Sequence, residues 1–490
     1  MNPLRLVVTA ALVSTMLTGC QSTDFDDWRE TSSVQAFTTS IGPVTRTEAT
    51  SENQHAVQQL RTYTYTDTAG CTVYMGRVEP KGQTEQAQTA AQYHLPGEAG
   101  VIRSYRADTG SWSLASIGEQ ITLEKGMYFV RTDQAEAIVV TPLTYTSHAN
   151  GMIEYLPDAD GMLSIQADGD GYTISLSVDA LPPGSYSDFL VLCADEPLVD
   201  WESTAAFARW SNYRFTDSNR WCYDGYYYTA PSTYYPTGEN YFYPLPAAHI
   251  AGKMARNAGD PASRALGLAM IDIMREKQNE YGFIPSQAGS EWLKGDYNID
   301  PGYYDTRFNT DFWLANLNAA RNFGVTEWLD KVEEYAAFLM DFGTGHHFSF
   351  GAGDEEGWLI EDYWHSNGAG NVTHCSLNHH ASEASFLYQL AEVTGNQTYA
   401  VFADRMVHGI ELTADLWPME DGNLYYAYLP DGTMMAGDYP SLTYNDLVDL
   451  QALYTRRHGS ESPAIRSLLE TKRGWMEDNG ITDYSKAPTV

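Results

Sequence analysis

The sequence predicts a multidomain β + α protein, in which an N-terminal β-sandwich is followed by a C-terminal (α/α) toroid of helical hairpins. Between about residues 59 and 199, apolar and polar residues alternate with period two, as in RTYTYT and GYTISLSV. From residue 244 onward the apolar residues recur at helical spacing, and pairs of helices with a glycine between them repeat along the chain. At 490 residues the chain is long enough for two or three domains.

The first twenty residues have the pattern of a bacterial lipoprotein signal peptide. MNPLR supplies a positive start, and LVVTAALVSTML is an apolar run too short to span a bilayer. LTGC then matches a lipobox, whose cysteine receives the lipid and becomes the new N-terminus. We therefore expect Cys20 to anchor the protein in the bacterial cell envelope, at the outer membrane or facing the periplasm or the exterior. A plain secretory signal with an incidental cysteine is the alternative.

Composition divides the rest of the chain into four segments. Residues 21–58 are rich in Ser, Thr, Gln and Asp, which is typical of a tether leading away from a membrane. Residues 59–199 form the predicted β-sandwich. Residues 200–243 are rich in tyrosine and are predicted to be an extended aromatic strap, whose rings either pack or stack on sugars. Residues 244–490 form the predicted toroid, which we expect to be the catalytic domain.

Four helical hairpins can be recognised in the C-terminal half. Their hinge glycines are Gly259, Gly324, Gly395 and Gly459. Each hairpin exposes an apolar stripe that a neighbouring hairpin must cover, which predicts a ring of hairpins around a central cleft. A complete ring of this kind has six hairpins, so the sequence leaves open an incomplete ring, or a right-handed superhelix.

Long segments precede the inner helices, over about residues 281–308, 343–377 and 416–442. Loops of that length inside a compact domain are usually functional. In a toroid they emerge at the same end, so we expect them to line a shared cleft. The first of them carries Tyr304 and Arg307 in the stretch PGYYDTRFNTDF, at the mouth of a helix.

Charge and cysteine usage limit the partners. The net charge of −35 argues against nucleic acid, because phosphates would be repelled. Four cysteines remain besides the lipobox residue, and three disulfide pairings are conceivable in an exported protein. They are Cys71, Cys193, Cys222 and Cys375. No CxxC spacing is present, so a cysteine-ligated zinc site is not expected.

The segment before the third hairpin is the richest in groups that carry chemistry. It contains the run EDYWHSNGAGNVTHCSLNHH, with His374, Asn378, His379 and His380 close together. Histidines so close together could ligate a metal, but no HExxH is present, and we expect neither a metal site nor a cofactor. The alternative for His379 and His380 is local hydrogen bonding at a helix N-terminus.

The order of motifs in this half resembles the C-terminal domain of D-glucuronyl C5-epimerases. EDY is followed by SLN, a helix ending in LYxLxxxTG, DGxLYY and GDYPSLTYNDLVDLQALY, over roughly residues 355 to 458. That family combines a β-sandwich with an (α/α) barrel. The resemblance implies tyrosines at the reacting sugar carbon and a uronate-containing polysaccharide as substrate. The catalytic residues that it implies are Glu361, Tyr363, Tyr425 and Tyr439.

The chemistry implied by the resemblance begins with removal of the C5 proton of a uronate. A base on one face and an acid on the other are needed, and tyrosine can serve as either if a cationic neighbour lowers its pKa. The developing enolate needs hydrogen-bond donors or a positive charge. We expect the substrate-binding groups to be Tyr304, Arg307, Asn378, His379 and His380.

Three classes of function therefore stay open. The first is an exported isomerase of the uronyl C5-epimerase type, or a polysaccharide lyase that shares its first step. The second is a glycoside hydrolase, for which carboxylates are available. These are Asp305, Asp311, Glu361 and Asp362. The third is a non-catalytic glycan-binding lipoprotein. The oligomeric state is open, with a homodimer among the options.

Overall fold

The structure is a computed structural model that describes residues 28–53, 58–80, 88–178, 180–257 and 259–482. The predicted signal peptide and Cys20 lie outside these residues. The chain divides into two compact units. The first comprises the described residues up to Glu276 together with Asn318–Glu327, and the second comprises Lys277–Leu317 and the described residues from Trp328 onward.

The first unit is built mainly of antiparallel strands. In chain order they are β1 (Trp28–Thr39), β2 (Gly42–Asn53), β3 (Gln58–Thr66), β4 (Thr72–Pro80), β5 (Gln88–Pro96), β6 (Val101–Arg106), β7 (Ser111–Ser116), β8 (Gln120–Leu123), β9 (Met127–Arg131), β10 (Glu136–Ser147), β11 (Ile153–Tyr155), β12 (Met162–Asp168), β13 (Gly171–Val178), β14 (Ser185–Ala194), β15 (Asn219–Cys222), β16 (Gly225–Thr229) and β17 (Tyr241–Pro244).

These strands form two sheets. The large sheet has the order β1-β2-β3-β4-β14-β10-β11-β17-β16-β15, with β9, β6 and β7 added beside β10. The small sheet has the order β5-β13-β12-β8. Val139 and Val191 of the large sheet share one buried core with Ile165 and Ile174 of the small sheet. The antiparallel sheets agree with the alternating sequence of residues 59–199, and the two sheets share one core, whereas the face-to-face packing of a sandwich stays a prediction.

The prediction of a tether over residues 21–58 is wrong for residues 28–53. Strands β1 and β2 pair along their whole length, from Trp28 opposite Asn53 to Thr39 opposite Gly42, and β2 continues the sheet to β3. Both strands are rich in threonine, which favours strands but lacks the apolar signal of a buried one. The buried Arg46 of β2 makes an ion pair at 3.1 Å with Asp272.

Residues 200–243 are not an extended strap. They contain helix α1 (Thr204–Trp210) and β15 and β16, which with β17 complete one edge of the large sheet. Tyr226 and Tyr227 are buried in this edge. The sequence leaves open whether the tyrosines of this segment pack or stack on sugars, and Tyr226 and Tyr227 pack.

The first helical hairpin belongs to the first unit, so the predicted domain start at residue 244 is corrected. This hairpin consists of α2 (His249–Asn257) and α3 (Pro261–Arg275), and α3 packs against β4 and β16. The ion pair between Arg46 and Asp272 ties it to the sheet. An amphipathic pattern alone does not reveal whether a helix covers a sheet or another helix.

The second unit is built around helices with short strands between them. Its helices are α4 (Glu291–Tyr297), α5 (Thr306–Phe323), α6 (Leu329–Gly345), α7 (Leu377–Thr394), α8 (Gln397–Leu412), α9 (Leu442–His458) and α10 (Pro463–Asp478), although the end of α5 from Asn318 onward belongs to the first unit. Its strands are β18 (Tyr304–Asp305), β19 (His347–Phe350), β20 (Gly357–Ile360), β21 (Tyr363–Trp364), β22 (Cys375–Ser376), β23 (Ala427–Tyr428) and β24 (Met434–Met435).

The predicted hairpins α5–α6, α7–α8 and α9–α10 are confirmed as consecutive helices. Gly395 and Gly459 end α7 and α9 with φ of 75° and 76°, a left-handed conformation that favours glycine. Helix α7 packs against α8 and α9, and α10 packs against the same two helices. The mixed β + α architecture is thus confirmed, whereas closure of the hairpins into a toroid stays a prediction.

Two further features concern the described residues as a whole. Cys71, Cys193, Cys222 and Cys375 are all buried free thiols, so none of the conceivable disulfide pairings is formed. Among the helices that could be described, none combines the length and the apolar character needed to cross a membrane.

Candidate functional site

The segments that precede α5 and α7 meet through short strand ladders in the second unit. Strand β18 pairs with β21, which places Tyr304 opposite Trp364 and Asp305 opposite Tyr363. Strand β22 pairs with β23, and β23 pairs with β24. The backbone N–H of Asp362 also donates to the carbonyl of His374 at 2.8 Å. These ladders bring together parts of all three long segments that the sequence places before inner helices.

Asp362 is the centre of the polar network. Its Oδ1 accepts a hydrogen bond from the backbone N–H of Ser376 at 2.9 Å, and its Oδ2 accepts one from the Ser376 hydroxyl. His374 Nε2 and His379 Nδ1 lie 3.2 and 3.5 Å from the same Oδ2. Burial alone would raise the pKa of Asp362, but the two imidazoles and the hydroxyl outweigh it and lower the pKa. The carboxylate is therefore ionised and held on several sides.

His374 and His379 contact different hydroxyl groups. His374 Nδ1 lies 2.8 Å from the Tyr297 hydroxyl, and His379 Nδ1 lies 2.9 Å from the Thr306 hydroxyl. Burial lowers the pKa of His379 to about 4, so this imidazole is neutral at pH 7 and supplies no positive charge.

The prediction that His380 binds substrate is corrected. Its Nε2 lies 3.1 Å from the Met406 carbonyl, and its Nδ1 accepts a hydrogen bond from the backbone N–H of Ile360. The side chain is fully buried. Neighbouring helical positions point in different directions, so His380 braces the backbone while His379 faces the network.

Asp305 is a buried carboxyl that can exchange a proton near neutral pH. Its Oδ1 accepts a hydrogen bond from the backbone N–H of Phe308 at 2.8 Å, at the start of α5. Burial raises its pKa to about 7, and the negative charges of Asp362 and Asp311 add to the rise. Carboxyl groups with such values act as proton donors in catalytic sites.

Three tyrosines surround Asp305. Burial raises the pKa of Tyr363, Tyr426 and Tyr439, and in each case the charge of Asp305 raises it further. The rings of Tyr426 and Tyr439 have centroids 6.0 Å apart, and Tyr363 lies 5.6 Å from His374 by the same measure. Tyr363 is buried, whereas Tyr439 is 50% exposed. The site thus has a buried floor and an open rim.

The sequence selects Tyr425, but the structure brings Tyr426 into the site instead. The ring centroid of Tyr426 lies 5.8 Å from that of His374, whereas Tyr425 has no ring contact with this cluster in the part of the chain that the structure describes. The two backbone amides donate to different partners, Trp417 for Tyr425 and Met435 for Tyr426. The doublet lies in extended chain, where adjacent side chains point to opposite faces.

Arg307 is part of the site but is not free to bind an anion. Its Nε lies 3.0 Å from Asp311 Oδ1, and its Nη1 lies 2.6 Å from Asp446 Oδ2. It also donates to the carbonyl of Asn378 at 3.2 Å. Burial alone would lower its pKa, but the two carboxylates raise it well above its usual range. Sequence reasoning missed Asp446, although NDLVD at the start of α9 offers a carboxylate there.

Three other predicted residues occupy positions that differ from expectation. Tyr304 is fully buried and its hydroxyl lies 3.1 Å from that of Tyr335, so its assignment to substrate binding is wrong. Glu361 Oε2 accepts a hydrogen bond from the backbone N–H of Thr373 at 2.7 Å, which supports a structural role. Asn378 is buried, and within the described residues its Oδ1 has no hydrogen-bond partner.

No group of three or more His, Cys, Asp or Glu in the described ranges has an arrangement suited to a metal ion. The side chains of the site offer proton transfer, hydrogen bonding and aromatic contact. Asp305 supplies a proton that leaves near neutral pH, Asp362 is a fixed negative charge, and the three tyrosines supply neutral hydroxyls.

Comparison with known proteins reveals distant structural similarity. No family model matches the chain, and no curated protein matches it. Solved structures with similarity include a D-mannose isomerase, with 12% identity over 48% of this chain and 61% of that chain, at a TM-score of 0.37. A family 76 glycoside hydrolase from a bovine Bacteroides thetaiotaomicron strain has 10% identity over 83% of this chain and 75% of that chain, at a TM-score of 0.39.

A cellobiose 2-epimerase from Spirochaeta thermophila is also similar, with 14% identity over 47% of this chain and 57% of that chain, at a TM-score of 0.37. The chain spans 61% and 58% of the lengths of the first two solved structures that it matches. All of these proteins are named as enzymes acting on sugars. The similarity is distant, so the function proposed below rests on the side chains of the site.

Proposed function

We propose that this protein is a carbohydrate-active enzyme, most directly a glycoside hydrolase, in which Asp305 is the general acid. The observation that carries the proposal is the pKa of about 7 for Asp305, raised by burial and by the charges of Asp362 and Asp311. Glycoside hydrolases commonly pair a protonated carboxyl with an ionised one on either side of the scissile bond. Environments that move two carboxyl pKa values apart mark such assignments.

The second carboxyl group in this proposal is Asp311. Its carboxylate makes an ion pair with Arg307, and its side chain is 24% exposed, so a substrate or a water molecule can reach it. The side chain of Asp362 is only 1% exposed, less than that of Asp311, and four groups surround its carboxylate oxygens. We therefore assign Asp362 the role of positioning His374 and His379 rather than that of contacting the sugar.

The three tyrosines support a carbohydrate as substrate. Their raised pKa values keep the hydroxyls of Tyr363, Tyr426 and Tyr439 neutral, so they can donate hydrogen bonds to sugar oxygens. The partly exposed ring of Tyr439 offers an apolar face at the rim. We propose a polysaccharide as the substrate, with its chain lying across this rim.

The uronyl C5-epimerase is the second candidate, because two of the tyrosines that the resemblance implies, Tyr363 and Tyr439, belong to the cluster, with Tyr426 in place of Tyr425. The raised pKa values of these tyrosines disfavour a tyrosinate base. In an epimerase or a lyase on this site, Asp305 would therefore remove the C5 proton and a tyrosine would act as the acid. Arg307 is the cation available to such a uronate in this proposal, and two aspartates already bind it.

The test is the activity of the full chain on a panel of neutral and uronate-containing polysaccharides. New reducing ends without ultraviolet absorbance support the hydrolase, and an unsaturated absorbing product identifies a lyase. Deuterium uptake at C5 without cleavage identifies an epimerase. The Asp305→Asn variant should lose at least about 100-fold in kcat on whichever substrate is turned over.

The control is Asp300→Asn, which removes a carboxylate that is 40% exposed and pairs with Lys294. This variant should keep the wild-type rate. Absence of turnover on every polysaccharide would instead favour a non-catalytic glycan-binding protein. An unchanged rate in Asp305→Asn would overturn the assignment of the acid.

We further propose that the enzyme acts at the bacterial cell envelope, held there by a lipid on Cys20. The lipobox LTGC is the support for this proposal. Metabolic labelling with a fatty-acid analogue should mark the wild-type protein, and Cys20→Ala should abolish the label and release the protein from membranes. Labelling that persists in Cys20→Ala would contradict lipidation at this residue.

A further inference from the structure

A partly exposed aromatic cluster lies in the first unit, at the side of the large sheet where β6, β7 and β9 pair. Its rings are Trp112 of β7, Phe129 of β9, Trp201, and Phe207 of α1. Ring centroids lie 5.1 Å apart for Trp112 and Trp201, 5.0 Å for Phe129 and Trp201, and 5.2 Å for Trp201 and Phe207. Trp112, Trp201 and Phe207 all keep part of their surface open to solvent. Open aromatic surfaces of this kind often bind ligands.

An arginine lies over this cluster without an acceptor for its guanidinium. The guanidinium carbon of Arg103 is 4.6 Å from the ring centroid of Trp201 and 5.1 Å from that of Phe207. Across the residues that the structure describes, no hydrogen bond or ion pair joins the Arg103 side chain to another side chain. The chain has 64 acidic and 29 basic residues, so most arginines have carboxylates available to them.

A second arginine increases the local positive charge. Arg131 lies on β9, which pairs with the strand of Arg103, and its side chain is 56% exposed. Burial and the charge of Arg131 lower the pKa of Arg103, and the charge of Glu202 opposes them. Two neighbouring guanidinium groups repel each other, so an anion bound between them would relieve that repulsion.

Part of this cluster, together with both arginines, lines a cavity of about 220 Å³. Its wall includes Arg103, Arg131, Trp201, Phe129 and Glu136. Drug-sized ligands occupy roughly 300–1000 Å³, so this cavity suits a group of about one sugar ring.

Glu136 gives the wall of this cavity an acceptor. Its Oε2 accepts a hydrogen bond from the backbone N–H of Leu198 at 2.7 Å. Its buried Oε1 lies 3.5 Å from Arg131 Nε but has no hydrogen-bond partner among the described residues. A hydroxyl group placed in the cavity could donate to this oxygen.

We propose that this cavity binds one carboxylate-bearing sugar unit of a glycan. The guanidinium of Arg103 receives the carboxylate, the rings of Trp201 and Phe129 contact the apolar face of the sugar, and Glu136 accepts a hydroxyl. A single carboxylate fits better than a phosphate dianion, because the negative charge of Glu136 repels the dianion more strongly. The site is independent of Asp305 and gives the protein a second, non-catalytic contact with a glycan.

The experiment measures binding of hexagalacturonate to the full chain by titration calorimetry, with maltohexaose as the neutral comparison. The Asp305→Asn background prevents turnover and leaves the cavity unchanged. Arg103→Ala should weaken hexagalacturonate binding by at least about tenfold, as expected for loss of a charge-assisted bidentate contact. Binding should also weaken as salt is raised.

The matched control is Arg106→Ala on the same strand, which removes an arginine that is 64% exposed and pairs with Asp108 at 2.7 Å. It should bind hexagalacturonate like the parent. Arg131→Ala provides a second loss of charge if Arg103→Ala unfolds, as judged by its thermal midpoint. Arg106→Ala should also hydrolyse soluble substrate at the rate of the otherwise wild-type chain, because this arginine belongs to neither proposed site.

Two outcomes would overturn the proposal. Equal binding of hexagalacturonate by the parent and by both Arg103→Ala and Arg131→Ala would show that the arginines do not receive the carboxylate. Binding of maltohexaose as tight as that of hexagalacturonate would show that the site does not select an acidic sugar. Either result would leave the role of Asp305 untouched, because that role is measured by turnover.

Discussion

The ammonium of Lys472 lies 2.6 Å from Oδ2 of Asp438, and neither side chain is more than 1% exposed. The same ammonium donates to Asn423 Oδ1 at 2.6 Å and to the carbonyl of Tyr439 at 2.9 Å. All three donors of this lysine are therefore used inside the second unit. The arrangement fixes the backbone that carries Tyr439 at the rim of the candidate site.

Replacing this lysine should destabilise the protein and loosen the rim. Lys472→Met leaves the carboxylate of Asp438 buried without its cation, which typically costs about 3–5 kcal/mol. We expect a loss of that order in the free energy of unfolding, measured by urea denaturation, together with a raised KM. Arg473→Met serves as the control, because its pair with Glu477 is more than half exposed and contributes less than about 1 kcal/mol.

The double variant Lys472→Met with Asp438→Leu should recover part of the lost stability, because no charge is then left buried. A single Lys472→Met variant as stable as the wild type would contradict the account of this pair.

The rate of catalysis should fall as pH rises through about 7. A general acid must carry its proton, and burial together with Asp362 and Asp311 raises the pKa of Asp305 to about 7. Above that value the carboxyl is ionised and the proton donor is lost. The measurement is the pH dependence of kcat/KM on a soluble substrate. A profile that stays flat between pH 6 and about pH 9 would exclude Asp305 as the acid, given the range over which one group titrates.

Local patterns predict the parts of this fold that local interactions determine. The alternation in GYTISLSV gives β13, whose Ile174 and Leu176 face the core, and Gly395 and Gly459 end helices where they are expected to. Residues 28–53 escape prediction because their threonine-rich strands bury few apolar side chains. Their anchor is the ion pair between Arg46 and Asp272, which are 226 residues apart.

In the candidate site too, the sequence predicts what local patterns determine and misses the contacts between distant residues. The resemblance and the loop lengths select the segment with Tyr363 and Asp362, which the structure brings together with Asp305. The partnership of Arg307 with Asp446 spans 139 residues, so no local pattern contains it. The proton affinity of Asp305 depends on burial, which the sequence does not state. The resemblance selects Tyr425, which is one residue before the tyrosine in the cluster. Adjacent side chains of an extended chain point to opposite faces, so an error of one residue selects the wrong tyrosine.

A pair of conservative variants tests that register. Tyr426→Phe removes a hydroxyl from the cluster and should lower kcat by about 100-fold, the loss typical of one hydrogen-bond donor at a reacting centre. Tyr425→Phe should stay within about threefold of the wild-type rate, since its ring lies outside the cluster. Steady-state kinetics of both variants on the same substrate supply the comparison. The reverse order of effects would restore Tyr425 to the site.

The last prediction concerns Glu383 of α7, which is 1% exposed and whose pKa burial raises to about 8. In the unfolded chain this carboxyl releases its proton near about pH 4.3. Between these values the folded state holds more protons, so the free energy of unfolding should fall with rising pH by up to about 1.4 kcal/mol per unit. The glutamine of the Glu383→Gln variant cannot ionise, so this variant should lose the contribution of Glu383 to the pH dependence of the free energy of unfolding.

Urea denaturation at pH 5 and about pH 8 measures this slope in both proteins, over the window in which the carboxyl titrates. Glu383→Gln should therefore be more stable than the wild type at the higher pH, because the wild-type carboxyl resists ionisation inside the folded unit. Glu392→Gln on the same helix is the control, since its carboxylate is 43% exposed and should leave the slope unchanged. If Glu383→Gln keeps the full wild-type slope, Glu383 is not the group that binds this proton, and other buried carboxyls such as Asp446, with a pKa raised to about 6, would have to account for it.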